Sequence, residues 1–212
     1  MSAATWTMLG LGNFVWDAID TIESQGGVVE RVVLNMDVDP SLVARLPDRI
    51  EIVKIDAFKP SSAHHAFGFT GPAIAGLRAR VEPLGLDFGS AIHSKAYVAP
   101  TVRVGRGTFV GAGAVVAPFA VLGDFSHVNR QVSIGHDATV GRFGRTGPGA
   151  IVCGHAAIGD RVYLGAGSIV RDRVRICDDV IVGMGAAVVD DLLEPGTYVG
   201  VPARKVSGKP AG

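Results

Sequence analysis

From Ile92 to Val188 the chain returns an aliphatic residue at every sixth position: Ile92, Val98, Val104, Val110, Val116, Leu122, Val128, Ile134 and Val140, then Val152, Ile158, Leu164, Val170, Ile176, Val182 and Val188. Within that register Thr146 is the exception. A period of six is neither helical nor a simple strand alternation. It is the repeat of a parallel β-helix, in which each hexad forms one side of a triangular prism and its aliphatic residue points at the axis. Three hexads complete a coil, so residue i stacks on residue i+18. Each coil buries its apolar residues only against its neighbours, and the array is nearly one-dimensional. The residue after the aliphatic one is usually small, as at Gly105, Gly123, Gly141 and Gly165, and is expected to let the chain turn the corner. Two residues before the aliphatic position a small or β-branched residue is frequent, as at Thr108, Ala120, Ala138 and Ser168.

The first ninety residues lack the repeat. They alternate strand-like runs (Thr5 to Leu9, Val28 to Met36, Ile50 to Ile55, Ala66 to Phe69) with helical spacing at Phe14 to Ile22 and about Pro72 to Glu82, the pattern of a small parallel α/β unit. The expected layout is an α/β, Rossmann-like unit over 1–88, a coil over 89–206 and a disordered polar tail over 207–212. Gly10-Leu11-Gly12 follows the first strand and suggests part of a dinucleotide fingerprint, but position 15 is Val15 where a third glycine would stand. Asp37, after the second strand, suits a ribose contact or a turn.

Lys plus Arg and Asp plus Glu both number 20, so the formal net charge is zero. That balance gives no footprint for nucleic acid and no polybasic membrane patch. No apolar window reaches membrane-spanning length and no signal segment is evident, which predicts a cytoplasmic protein. Cys153 and Cys177 lie 24 residues apart, so they do not stack, and are expected to be reduced thiols.

A closed prism has no cleft of its own, so polar residues that the repeat does not require are the candidates for chemistry. They cluster from Asp124 to Arg145. Stacking by eighteen sets His127 under Arg145 and Arg145 under Tyr163, Asp137 under His155, and Phe125 under Phe143. His136 is the candidate general base, because imidazole is largely neutral at cellular pH. Asp137 beside it would fix the tautomer; the alternative is a surface histidine in a turn. His127 and His155 are expected to belong to polar columns facing solvent, and His64-His65 to be structural or in a loop. His127, His136 and His155 lack short metal-ligand spacing, so no metal is expected.

These residues resemble a known group. The hexads, the entry segment Ala91-Ile92-His93-Ser94-Lys95-Ala96-Tyr97-Val98-Ala99-Pro100, Asn129 seven residues before His136-Asp137, and the closing Gly200-Val201-Pro202-Ala203-Arg204 are similar to those of the NeuD-type sugar O-/N-acetyltransferases, which are left-handed parallel β-helix acyltransferases. The resemblance implies a left-handed coil, a homotrimer, acetyl-CoA as acyl donor and a sugar or nucleotide-linked sugar as acceptor. It implies His136 as base with Asp137 as its acid, and Asn129 in the same groove. It implies cofactor contacts at Arg145, Gly154, Ala166 and Met184, and an acceptor held at the turn of Gly10 and Gly12; Asp37, read above as a ribose contact or a turn, is the further candidate for substrate binding. The chain departs from the group at Arg145, where a histidine is usual, and at Gly10-Leu11-Gly12-Asn13-Phe14, where the group's glycine-rich turn ends in histidine. Two other readings suit the same fold: a non-catalytic scaffold whose flat faces bind partners, and a zinc-dependent, carbonic-anhydrase-like trimer.

Overall fold

The computed structural model describes residues 3–71 and 73–206, so the tail and Pro72 lie outside the described residues. The chain divides into two compact units, Met1–His93 and Ser94–Gly212.

The first unit is a four-stranded parallel sheet. Its elements are β1 (Thr5–Leu9), α1 (Val15–Ser24), β2 (Val28–Leu34), α2 (Pro40–Val43), β3 (Glu51–Lys54), β4 (His64–Phe67) and α3 (Ala73–Val81), in strand order β3-β2-β1-β4. Helix α1 buries Val15, Ala18, Ile19 and Ile22, the i, i+3, i+4, i+7 set of one helical face. It ends where Gly26 takes φ +86° and its N–H reaches the Glu23 carbonyl. The short α2 was hidden in what reads as a turn: the Asp39 side chain accepts the Ser41 N–H, and Pro40 opens the helix. Strand β4 begins two residues earlier than its hydrophobicity suggests, and takes in both histidines. Alternation then turns His65 into the core, fully buried beside Phe58 and Phe88, and leaves His64 outward on Asp87 at 2.7 Å.

The second unit is a left-handed parallel β-helix. Short strands pair in parallel with those eighteen residues away: Tyr97 with Val115, Val121 with Thr139, Arg145 with Tyr163, Ile169 with Ala187. Three faces result. The first runs through positions 97, 115, 133, 151, 169 and 187, the second through 103, 121, 139, 157 and 175, and the third through 109, 127, 145, 163 and 181. From Val110 onward the aliphatic knobs are buried, among them Val110, Val128, Ile134 and Val182 at 0 % exposure, each worth roughly 1.5–3 kcal/mol of apolar burial. Ala120, Ala138, Ala156 and Ser168 fill the axis beside them.

The corners turn differently from the expectation. The left-handed backbone falls three residues after the aliphatic knob, at Phe119, Phe125, Gln131, Asp137, Phe143, His155, Arg161, Arg173 and Asp179 and at Gly107, Gly113, Gly149, Gly167 and Gly185, all with φ between 57° and 69°. The glycines directly after the knob do not adopt it. They serve close stacking of coils: a Cβ on Gly141 would lie 2.5 Å from the Gly159 carbonyl carbon, and one on Gly165 2.5 Å from the Met184 nitrogen. Thr146 is likewise explained. Its buried hydroxyl accepts the Asn129 N–H at 3.0 Å and donates to the His127 carbonyl at 3.2 Å, in a stretch where the ladder joins only His127 to Arg145. The last coil ends in an antiparallel pair, Gly196–Val199 with Arg204–Lys205.

Candidate active site

The three corners carry different chemistry. The corner between the second and third faces is an ionic ladder. Asp124 accepts the Arg106 N–H, Asp160 the Arg142 N–H and Asp178 the Asp160 N–H, with side-chain pairs Arg142–Asp160 at 2.8 Å and Arg161–Asp179 at 2.7 Å. Hydrogen bonds from Arg142 hold the Asp160 carboxyl below its ordinary range against the opposing effect of partial burial. Phe125 stacks on Phe143 within this corner at 5.3 Å. Its polar groups are spoken for.

The corner between the first and second faces holds His136, Asp137, Gly154 and His155. Asp137 and His155 take the left-handed position on consecutive coils, and the His155 N–H reaches the His136 carbonyl at 2.9 Å. His136 Nδ1 lies 2.8 Å from Asp137 Oδ2. An ionised carboxylate only accepts, so Nδ1 carries the hydrogen and Nε2 keeps its lone pair. Gly154 stands directly over that nitrogen: a Cβ there would sit 2.8 Å from His136 Nε2. The His136 side chain is 60 % exposed, which leaves Nε2 accessible. His155 Nε2 lies 4.0 Å from the same Asp137 oxygen, and the two imidazoles meet edge to face at 5.0 Å and 88°. One ligand atom from each of His136, Asp137 and His155 falls within 4.8 Å of the others, so among the described residues this trio has the spacing to hold a metal ion. The 2.8 Å contact is a hydrogen bond that orients the His136 ring, which suits a base.

The corner between the third and first faces is lined by glycine. Gly149, Gly167 and Gly185 have nothing within 4 Å of an added Cβ, and Met184 beside them is 83 % exposed. Asn129, Ala166 and Met184 lie on this edge, so within one chain they are across the first face from His136. That face is apolar and exposed: Tyr97 57 %, Val115 44 %, Ile151 39 % and Ile169 44 %.

His127 is not in a solvent-facing column. It is buried, stacked parallel on Phe109 at 4.8 Å, and burial, with Arg145 nearby, pushes its imidazole down to about 3. Arg145 lies over the Tyr163 ring at 4.8 Å, half-buried on the third face, and burial works against its charge. The eighteen-residue stacking found this column but not its burial. Both cysteines are free thiols.

In the first unit, Gly10, Gly12 and Asp37 all lie at the carboxyl edge of the parallel sheet, with Asp37 exposed. Phe69, which sequence reasoning passed over, packs against the glycine turn. A Cβ on Gly10 would lie 2.3 Å from its ring, and one on Gly12 3.0 Å from its Cβ. Among the described residues no helix is long and apolar enough to cross a membrane.

A family profile described as the hexapeptide repeat of succinyl-transferase matches residues 156–189. No curated protein sequence matches the chain. Among solved structures the chain is similar to perosamine N-acetyltransferase from Caulobacter crescentus, crystallised with CoA and GDP-perosamine, at 25 % identity and a TM-score of 0.84, covering 97 % of this chain and 98 % of that one. The acetyltransferase domain of PglB from Neisseria gonorrhoeae, solved with acetyl coenzyme A, shares the fold at 23 % identity and a TM-score of 0.85, covering 96 % and 100 %. WeeI from Acinetobacter baumannii shares it at 21 % and 0.75, covering 96 % and 100 %. Coil, repeat and these likenesses define a class, the hexapeptide-repeat acyltransferases. The chain is an enzyme with the fold of that class and is similar to its acetyltransferases.

Proposed function

We propose that the chain transfers an acetyl group from acetyl-CoA to the amine of an amino sugar, with His136 as general base. The observation that carries this reading is the His136–Asp137 contact at 2.8 Å with the Nε2 side kept clear by Gly154. The likeness to an enzyme crystallised with CoA and GDP-perosamine favours an amine over a hydroxyl, and a nucleotide-linked sugar as its carrier. Nε2 takes a proton as the amine nitrogen attacks the thioester carbonyl. The Gly154 backbone amide beside the ring is the candidate donor to the resulting oxyanion. The tetrahedral intermediate collapses, the C–S bond breaks, and the imidazolium returns its proton to the departing CoA sulfur. No acyl-enzyme forms.

The first face supports a trimer. Parallel sheets are normally covered on both sides, and this one presents an apolar stripe to water. Three prisms around an axis with this face inward set the Asn129, Ala166 and Met184 edge of each chain against the His136 edge of the next. The glycine-lined edge then lets the pantetheine arm approach backbone closely, and one copy completes the other's site. The carboxyl edge of the first sheet, between β1 and β4 where the strand order reverses, is the proposed acceptor site with Asp37. Acetyl-CoA as donor and two free thiols suit action in the cytoplasm. Thiol release from acetyl-CoA tests the reading, measured against free amino sugars, nucleotide-linked amino sugars and their hydroxyl counterparts. Release with an amino sugar and none with its hydroxyl counterpart is the expected result. No release with any amine would overturn it.

A further inference from the structure

We infer that His155 is a positioning residue for the base: its imidazole holds the His136 ring and the Asp137 carboxylate in the register that presents Nε2. The inference rests on the general-base reading of His136 and extends it. His136 is mostly exposed, and the terminal torsion of a histidine is broad, so one hydrogen bond through Nδ1 leaves the ring free to swing about that bond. One feature limits the swing: the His155 ring edge closes one approach at 5.0 Å and 88°, while Gly154, with no side chain, leaves the Nε2 side open. The same ring faces the Asp137 oxygen that His136 uses, at 4.0 Å, beyond hydrogen-bond reach yet close enough to wall the carboxylate in. The backbone makes the arrangement stiff. Asp137 (φ 57°) and His155 (φ 59°) occupy the same corner position on successive coils, and the His155 N–H is bonded to the His136 carbonyl. Arg173 holds that position on the next coil, so the charged or titratable residues of this corner around His155 are His136, Asp137, Cys153, Arg171, Asp172 and Arg173.

The chain itself supplies the substitutions that test this. Glycine stands in the left-handed corner position at Gly149, Gly167 and Gly185, and phenylalanine does so at Phe119, Phe125 and Phe143. His155→Gly and His155→Phe are therefore both compatible with the backbone. In His155→Gly, kcat is expected to fall about tenfold with the KM for acetyl-CoA unchanged. His155→Phe restores the ring edge and should recover most of kcat. Folding of each variant is checked by its thermal transition. If His136→Ala is inactive while a folded His155→Gly keeps kcat within twofold, the positioning role is overturned and the base stands. If His136→Ala keeps normal turnover, the base reading itself fails, and this inference falls with it.

Discussion

At the scale of single residues, His136 and Gly154 are one device read from two sides. His136→Ala removes the proposed base from an exposed corner without touching a buried knob, so the fold should persist while kcat drops about 10²-fold or more. Near-normal turnover at saturating substrates would remove His136 from the role. Gly154→Ala is the subtler change. Its Cβ would arrive 2.8 Å from Nε2, and the ring can yield only by swinging away from Asp137. Turnover should fall at least tenfold while the thermal transition moves by no more than a few degrees. A fully active Gly154→Ala would show that the Nε2 side is not where the proton is taken. Gly12 offers no such clean probe. Phe69 fills the space where a valine at 12 would go, so Gly12→Val strains the turn whatever the acceptor does. Asp37→Ala, at an exposed position, reports on the acceptor without that cost. A raised acceptor KM with an unchanged Kd for CoA is expected, and an unchanged KM would leave Asp37 as a turn residue.

At the scale of elements, the coil sorts glycines into two kinds that the repeat alone does not separate. Gly165→Ala drives a Cβ to 2.5 Å from the Met184 nitrogen, backbone that cannot yield, and should destabilise by several kcal/mol in denaturant unfolding. Gly167→Asn, with open space and a left-handed backbone that asparagine tolerates, should cost about 1 kcal/mol. Equal losses would mean that the corner, not the coil spacing, sets the requirement. Column chemistry gives a second test. His127 is neutral when folded and titrates at about 3, against 6.5 when unfolded. Below about pH 6.5 only the unfolded chain takes up its proton, so stability present above that pH drains away as pH falls towards 3, by up to about 5 kcal/mol. Carboxylates titrate mostly below pH 5, so a thermal transition that falls between pH 6.5 and 5 is carried mainly by histidines. His65, also buried and lowered by burial, adds to it. His127→Phe, continuing the stack on Phe109, should flatten the slope; an unchanged slope would assign it elsewhere. This column also marks where the sequence was legible. Period six gave the prism, the stacking of eighteen and the partners of Asp137 and Arg145. It did not give burial, because the same stacking leaves Val115 exposed above Tyr97 and His127 buried above Phe109. Nor did it give α2 or the start of β4, where Asp39-Pro40 reads equally as turn or cap and His64-His65 hides an alternation.

At the scale of the whole molecule, the first face bears on whether the two glycine- and histidine-bearing edges ever meet. Within a single chain they are the opposite edges of one sheet, and nothing in the coil brings them together. The stripe between them is apolar and exposed, which a parallel sheet does not normally leave uncovered. A heterologous contact that closes at three copies covers it and joins unlike edges at three equivalent grooves. Ile151 and Ile169 point outward, away from the axial core, so changing them spares the knobs that hold the coil. Ile151→Glu with Ile169→Glu places like charges in adjacent rungs of that face on every copy. Sedimentation should shift from trimer to monomer, while far-ultraviolet dichroism keeps the β signature of the coil. Acetyl transfer should drop by at least 10²-fold even though His136, Asp137, His155 and Gly154 are all present in each monomer, because the Asn129 edge would be missing from every site. Mixing this variant with His136→Ala chains sharpens the result. If the groove is shared, neither alone is active, and any mixed assemblies regain partial turnover. A stable, fully active monomer would place donor and base within one chain and would require a route for CoA across the bare first face itself.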